Sequence, residues 1–148
     1  MIAMKRILLV DDEPGVLQAL RIILTAEGYH VETAWSSKEA WELLNRDGFD
    51  LVVTDFNMPR MKGDELARLI KERWPDLPVV MLSGSAEILR ASGRVMPGVD
   101  VLIGKPFHLV ELRQAIARLL EESSQSPDSG VEEPWSIQER SEPAVKAA

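Results

Sequence analysis

Hydrophobic residues follow two alternating patterns along residues 1–120. Five short runs are rich in β-branched and aliphatic residues and predict β-strands: RILLV (6–10), HVETA (30–34), DLVVT (50–54), PVVML (78–82) and VDVLI (99–103). The segments between them carry apolar residues at helical spacing. Strands that alternate with helices imply a parallel sheet, because parallel neighbours need a crossover connection. The pattern therefore predicts a three-layer, doubly wound α/β fold with a five-stranded parallel sheet.

Start and stop signals bound the first two predicted helices. The first begins at Pro14 and stops by Gly28, since proline is favoured at a helix start and glycine just beyond its end. Ser36 or Ser37 can cap the second helix, which stops near Gly48.

The later helices are less uniform. The third must end by Trp74, because a proline follows and disfavours helix at the residue before it. We expect the fourth to be short or frayed, over about residues 86–92, because Gly93 and Pro97 interrupt helical order. The last predicted helix carries apolar residues at helical spacing over residues 109–120.

Composition narrows the possible chemistry. With 148 residues and 45% hydrophobic content, the chain can form one domain with a real core. It has no cysteine, which excludes disulfides and thiolate metal sites. Its two histidines, His30 and His108, are too few and too far apart for a zinc motif. Any metal must therefore be held by oxygen.

Charge and hydropathy limit the partners that we expect. The net charge of −7 argues against direct nucleic-acid binding, which calls for clustered lysine and arginine. No apolar run approaches the roughly 18 to 20 residues of a membrane span. We therefore expect a soluble, cytoplasmic protein without membrane insertion.

An acidic tail follows the last predicted helix. Seven acidic and two basic residues follow Leu120, so most of the net charge lies there. Few apolar residues offset the entropy of ordering this segment. We therefore divide the chain into a domain at residues 4–121 and an acidic, mostly disordered tail at 122–148. In that tail, Trp135 and Ile137 either dock on the domain or a partner, or stay exposed. No second set of periodic helices and no basic patch follows the last predicted helix, so the chain either stands alone or is a piece of a longer protein.

Polar side chains stand where the predicted strands end. Asp11 and Asp12 follow the first strand, Asp55 the third, Ser83 the fourth and Lys105 the fifth. In open α/β sheets, ligands bind beyond the carboxyl ends of the strands, where the strand order reverses. Each residue alone has an ordinary explanation as a solvated strand end, but the combination predicts a site.

The charges of this group favour a phosphoryl site. Converging aspartates repel one another and raise the pKa of at least one of them unless a cation intervenes. Lys105 is one such cation, and Mg²⁺ is the natural second, because it prefers oxygen ligands and is usually held by carboxylates plus phosphate oxygens. Phosphoryl transfer chiefly needs positioning and neutralisation of the phosphoryl oxygens, and a carboxylate can serve as the nucleophile.

Four motifs together resemble a known family. The segments LLVDDEPG, LVVTDFNMPRMKG, VVMLSGSA and IGKPF, in this order and spacing, resemble the receiver domain of bacterial two-component response regulators, of the CheY-like superfamily. The resemblance covers about residues 4–121 and implies a flavodoxin-like sheet with strand order 2-1-3-4-5. It also implies that Asp55 accepts a phosphoryl group from a sensor histidine kinase or a histidine phosphotransfer protein.

The resemblance implies a metal site as well. Asp12, the Asp55 carboxylate and the backbone carbonyl of Asn57 would bind Mg²⁺ directly, and Asp11 would assist through water. Mg²⁺ is therefore the one cofactor that we expect.

The resemblance also implies a switch. Ser83 would bond one phosphoryl oxygen and drive the change, Lys105 would pair with another, and a cis peptide bond before Pro106 would aim that lysine. Phosphorylation would alter protein contacts with a downstream target that the sequence does not name, and the sequence leaves open whether the chain forms a homodimer. On this interpretation the chain is not an enzyme, because it is phosphorylated once and loses the phosphate by autodephosphorylation.

Two other functions stay open. A Mg²⁺-dependent phosphatase with an aspartyl nucleophile would carry an aspartate at position 57, where this chain has Asn57, which argues against that function. A phosphorylation-independent adaptor would keep the receiver fold and bind a partner through the fourth-helix region or the tail.

The chain departs from the family at Leu102, where a tyrosine or phenylalanine is usual, so its output surface is in question. We expect His108 to be a surface residue.

The turn that contains Pro59 and Gly63 is expected to leave the Asp55 carboxylate exposed. Gly63 suits this turn because glycine adopts backbone conformations that are closed to other residues.

Overall fold

The computed structural model describes residues 4–91 and 96–124, in which five strands and five helices alternate as predicted. The strands are Arg6–Val10 (β1), His30–Ala34 (β2), Leu51–Asp55 (β3), Val79–Ser83 (β4) and Val101–Gly104 (β5). The helices are Pro14–Ala26 (α1), Ser37–Arg46 (α2), Gly63–Arg73 (α3), Ala86–Ala91 (α4) and Leu109–Ser124 (α5). Strands β3 and β4 lie one residue later than predicted, and β5 begins two residues later.

By its internal contacts, the chain divides into a unit at Met1–Ile116 and a unit at Ala117–Ala148. The sheet and the site described below lie in the first unit. Of the second unit, the structure describes residues 117–124, which are the last turns of α5. The predicted division into domain and tail stays a prediction, and Trp135 and Ile137 lie outside the described residues.

All five strands pair in parallel in the order β2-β1-β3-β4-β5, which confirms the predicted fold and strand order. The register places Asp55 beside Leu82. It places Ser83 beside Gly104, one residue before the lysine that follows β5. The residues after β1, β3, β4 and β5 therefore meet at one end of the sheet, which we call the carboxyl edge.

The central strands are buried on both faces. Strands β3 and β4 are buried along their whole length, which explains why their sequences are apolar without alternation. One face packs against α2 and α3 in an apolar cluster that includes Leu8, Val10, Ala40, Leu44, Val52, Leu66, Ile70 and Val79. Ile7 and Leu9 point to the opposite face and are equally buried. Burial of one such side chain contributes roughly 1.5 to 3 kcal/mol, so the sheet is a rigid base for the loops at its carboxyl edge.

Ser36, and not Ser37, caps α2. The Ser36 hydroxyl accepts a hydrogen bond from the Glu39 N–H at 3.0 Å, and the Glu39 carboxylate accepts one from the Trp35 N–H at 2.8 Å. Such reciprocal bonds satisfy amides that the helix start leaves unpaired. The Ser37 hydroxyl instead donates to the Met61 carbonyl at 2.9 Å, which ties α2 to the loop after β3.

The predicted ends of α1 and α3 are confirmed to within one or two residues. Gly28 has a φ of 99°, the left-handed conformation that favours glycine just beyond a helix. Trp74 is the C-cap residue of α3. The fourth helix is described over Ala86–Ala91, which lies within the predicted range of 86–92. Among the described residues, no helix is both long enough and apolar enough to cross a membrane.

Candidate functional site

Three carboxylates converge at the carboxyl edge. Asp11 and Asp12 follow β1, Asp55 ends β3, and one oxygen of each lies within 4.8 Å of the others. Asp11 and Asp55 are buried, whereas Asp12 is exposed. The structure thus brings together the three acidic residues that the sequence placed at the strand ends, with Asp12 on the solvent side.

The Asp55 side chain is more buried than the sequence indicated. Asp55 is only 6% exposed, so the expectation of an exposed carboxylate was wrong. Phe56 and Met58 are also buried, because the chain turns back over the end of β3. The Gly63 N–H closes this turn by donating to the Phe56 carbonyl at 2.9 Å.

Position 63 requires glycine because there is no room for a Cβ atom, and not because of its backbone conformation. Its φ is not positive, so the predicted conformational reason was wrong. A Cβ at this position would lie 2.2 Å from the Asp55 carbonyl oxygen, a distance that real Cβ atoms do not show. The start of α3 therefore packs directly on the backbone of Asp55. The left-handed residue of the loop is Arg60, with a φ of 71°, and an arginine side chain gives no signal of this in the sequence.

Lys105 is the cation of the cluster. Its Nζ lies 2.5 Å from Asp55 Oδ1 and 3.6 Å from Asp11 Oδ2. Burial by itself lowers the pKa of an ammonium group, but the hydrogen bond to Asp55 and the charges of the nearby carboxylates outweigh burial. The pKa of Lys105 therefore lies above its ordinary value, and the ammonium stays charged. The Lys105–Pro106 peptide bond is cis, as the resemblance implied.

One carboxylate oxygen of Asp11 has no hydrogen-bond partner among the described residues. Its Oδ1 accepts from the Glu13 N–H at 3.0 Å, whereas its Oδ2 is buried and has no hydrogen-bond partner among the described residues. Burial raises the pKa of Asp11, and the charges of Asp55 and Glu13 add to this, against the Glu13 N–H and Lys105. A buried carboxylate oxygen without a donor costs free energy. A hard cation with oxygen ligands would offset that cost, so this donor set fits Mg²⁺.

Asn57 lies in the loop next to the cluster. Its side chain is exposed, and its Oδ1 accepts a hydrogen bond from Lys62 Nζ at 3.2 Å. Lys62 also lies over the Phe56 ring, 5.7 Å from its centroid. Sequence reasoning missed Lys62, because only the path of the loop brings it back to Asn57. The role of the Asn57 carbonyl as a metal ligand stays a prediction.

Ser83 ends β4 and is buried. Its Oγ accepts a hydrogen bond from the Ser85 N–H at 3.0 Å, and its carbonyl accepts one from the Lys105 N–H at 2.8 Å. Because Asp55 pairs with Leu82, Ser83 lies one residue further along β4 than the partner of Asp55. The ends of β4 and β5 are thus joined at the predicted hydroxyl and lysine.

Leu102, where the chain departs from the family, lies in β5. Leu102 is half-buried in β5, and its carbonyl accepts a hydrogen bond from the Arg90 guanidinium of α4. This link between α4 and β5 was not predicted, because it uses the backbone of Leu102 and not its side chain. His108 is exposed, as expected.

The chain is similar to curated regulatory proteins over part of their length. The family model of the response regulator receiver domain matches residues 7–117. The transcriptional regulatory protein GlrR of Escherichia coli is 40% identical over 122 residues, or 82% of this chain. The response regulator MprA of Mycolicibacterium vanbaalenii is 37% identical over 128 residues, or 86% of this chain. The chain spans 28% of GlrR and 54% of MprA.

Solved structures share the fold. TrrA from Thermotoga maritima, solved in complex with Mg(2+)-BeF, matches with a TM-score of 0.72 and 32% identity, over 78% of this chain and 99% of TrrA. A CheY-like receiver domain protein from Methanospirillum hungatei matches with a TM-score of 0.77 and 30% identity, over 86% of this chain and 100% of that protein. The motifs, the strand order and these matches agree, and the chain belongs to the response regulator receiver domain family.

Proposed function

We propose that this chain accepts a phosphoryl group on Asp55 and that the modification switches its contacts with a downstream protein. The donor is a phosphohistidine of a sensor histidine kinase or a histidine phosphotransfer protein, and the reaction takes place in the cytoplasm. The observation that carries this proposal is the position of Asp55. Its carboxylate lies at the carboxyl edge with an ammonium at 2.5 Å and two further carboxylates nearby.

In the transfer, an oxygen of the Asp55 carboxylate attacks the phosphorus atom as the bond from phosphorus to the donor imidazole breaks. The imidazole leaves with the bonding electron pair and takes up a proton, and the product on this chain is an acyl phosphate. Burial of Asp55 holds the carboxylate in place, and packing of Gly63 against its carbonyl fixes the backbone behind it. The chain thus contributes a positioned nucleophile.

Asp12, Asp55 and the Asn57 carbonyl would hold Mg²⁺, and Asp11 would do so through water. When bound, Mg²⁺ supplies positive charge that offsets the charge on the phosphoryl oxygens. What supports a cation at this place is Asp11 Oδ2, which is buried and has no hydrogen-bond partner in the part of the chain that the structure describes.

Lys105 and Ser83 respond to the new group. The Lys105 ammonium already contacts the Asp55 carboxylate, so it can follow the negative charge onto a phosphoryl oxygen. The Ser83 hydroxyl donates to another phosphoryl oxygen. Because the Ser83 carbonyl accepts the Lys105 N–H, a movement of one residue is transmitted to the other. The chain acts once per phosphoryl group and loses it by autodephosphorylation, so it is a switch and not an enzyme with an external substrate.

Labelling by a small phosphodonor tests the proposal. With Mg²⁺ and acetyl phosphate, intact-mass spectrometry should show one added phosphoryl group on the unmodified sequence and none on Asp55→Asn. Asp76→Asn, which changes an exposed carboxylate between α3 and β4, is the matched control and should be labelled normally. Equal labelling of Asp55→Asn would contradict the proposal, as would no labelling under conditions that label another receiver domain. Partner binding that is unchanged by Asp55→Asn would favour the adaptor function instead.

A further inference from the structure

A second concave site lies on the face of α2 and α3, outside the carboxylate cluster. It has a volume of about 670 Å³, which is within the range of ligand-binding clefts. We call it the α2–α3 groove. Its apolar lining consists of Trp41, Pro59, Met61, Leu66 and Leu69.

Two cations stand on the walls of this groove. Lys38 belongs to α2 and Arg60 to the loop between β3 and α3, and both are exposed. Among the described residues, Arg21, Lys38 and Arg60 are the basic side chains without an ion pair, hydrogen bond or ring contact. Two of these three thus line the same groove in a chain whose net charge is −7. The groove also contains one carboxylate, Glu42, so its walls carry a positive balance.

The walls of the groove are tied together. The Ser37 hydroxyl of α2 donates to the Met61 carbonyl, so the helix and the loop form one surface. Arg60 is held with a φ of 71°, a conformation that residues other than glycine seldom adopt. Its neighbours Pro59 and Met61 both line the groove, and Met61 is the residue tied to α2. The loop therefore keeps Arg60 at the groove, although the left-handed backbone conformation is unfavourable for an arginine.

We propose that the α2–α3 groove binds an acidic segment of a partner protein that carries a large apolar side chain. The apolar lining would take the apolar side chain as an anchor, and Lys38 and Arg60 would pair with carboxylates beside it. Side chains of two helices and of the loop between β3 and α3 line the groove, so a peptide segment can contact all three. This inference goes beyond phosphorylation of Asp55 and does not depend on it, so it is tested on the unphosphorylated protein.

Fluorescence anisotropy with a labelled synthetic peptide tests the proposal. The probe has leucines flanked on both sides by glutamates, and two control peptides replace the leucines with alanine or the glutamates with lysine. The probe should bind with saturation, and neither control peptide should. Added salt should weaken binding, because exposed charges are screened.

Charge variants identify the site of binding. Lys38→Glu and Arg60→Glu should each weaken binding by about two- to fivefold, the effect of losing one exposed ion pair. Arg21→Glu is the matched control, since Arg21 is an exposed cation on α1 without a partner among the described residues, and it should leave binding unchanged. Hydrogen exchange of the unmodified sequence supplies a second measurement that needs no variant. The probe should protect residues 36–42 and 59–69.

Several results would overturn the proposal. They are the absence of saturable binding, equal weakening by Arg21→Glu, and protection outside the α2–α3 groove. Binding of 2-naphthoate as tightly as the peptide would also overturn it, because the groove would then be a small-molecule site. None of these results bears on labelling of Asp55, so failure of this proposal is distinguishable from failure of the phosphoacceptor function.

Discussion

The two ends of the sheet both carry carboxylates, but they use them differently. At the amino ends of the strands, which we call the amino edge, Asp50 accepts a hydrogen bond from the Arg6 N–H at 2.8 Å. Asp100 accepts one from the Val79 N–H at 2.8 Å and pairs with Lys71 at 2.8 Å. Asp50 and Asp100 therefore each have a fixed protein partner.

At the carboxyl edge, Asp11 and Asp55 share the ammonium of Lys105, and Asp12 lies exposed beside them. Asp11 Oδ2 has no hydrogen bond among the described residues. The amino end of a strand presents N–H donors that a carboxylate can satisfy, so acids there stabilise the fold. Acids at the carboxyl edge crowd one another, which costs stability, and a bound cation would offset that cost.

The largest effect that we expect comes from Gly63→Ala. The added methyl group would lie 2.2 Å from the Asp55 carbonyl oxygen. That oxygen belongs to the backbone, which cannot move aside as the end of a flexible side chain can. The free energy of unfolding, measured by urea denaturation, should fall by at least about 3 kcal/mol, or folding should fail. Gly48→Ala at the amino edge is the control, because a Cβ there meets nothing within 4 Å. Similar stabilities for the two variants would show that the carboxyl edge is not crowded.

Asp100→Ala should lower the free energy of unfolding by about 2 kcal/mol, because it leaves the Val79 N–H and Lys71 without their acceptor. Asp76→Ala removes an exposed carboxylate before β4 and should change stability by less than about 0.5 kcal/mol. If Asp100→Ala is as stable as Asp76→Ala, the carboxylate of Asp100 does not stabilise the fold, and the contrast between the two edges is contradicted.

Asp11→Asn should have the opposite effect on stability. The fold raises the pKa of Asp11, chiefly by burial, so it favours the neutral form of this side chain. Without Mg²⁺, the variant should gain up to about 1 kcal/mol in the free energy of unfolding, since it removes a buried charge whose Oδ2 has no hydrogen bond among the described residues. Its affinity for Mg²⁺, measured by calorimetry, should fall about tenfold or more. Unchanged Mg²⁺ affinity would exclude Asp11 from the metal site.

Acidification should act on the same group. The pKa of Asp11 is raised above 3.8 in the folded chain. The Asp11 carboxylate therefore takes up a proton at a higher pH in the folded chain than in the unfolded chain. As pH falls through the folded pKa, the contribution of Asp11 to stability becomes more favourable, and Mg²⁺ must displace a proton. Mg²⁺ affinity should therefore fall with pH in the unmodified sequence, and part of this dependence should be missing in Asp11→Asn. Identical pH profiles for the two proteins would contradict this assignment.

The smallest effect that we expect is a gain from Arg60→Gly. Glycine adopts a φ of 71° without steric cost, although it also loses more backbone entropy on folding. The net gain in the free energy of unfolding should be about 0.5 kcal/mol. Arg21→Gly in the middle of α1 should instead destabilise by about 1 kcal/mol. A loss of stability in both variants would mean that the loop is not strained at Arg60.

Sequence reasoning located the candidate site because its residues occupy strand ends. Asp12, Asp55, Ser83 and Lys105 each follow an apolar run, and the carboxyl ends of parallel strands must share one edge of the sheet. It failed at the loop after β3, where Asp55 proved buried and Gly63 proved to be a contact residue. Both features depend on the path by which the loop returns over the strand, and no local pattern records that path.

The sequence by itself determined the five parallel strands, the helices between them and the edge at which the polar residues gather. These follow from hydrophobic spacing, because spacing decides which faces of each element are buried. Only the tertiary structure decided that Asp11 keeps an oxygen without a hydrogen bond, that Lys105 contacts Asp55 and that Lys38 and Arg60 line one groove. The physical reason is that these are distances between side chains far apart in sequence, and they exist only after strand register and loop paths bring the elements together.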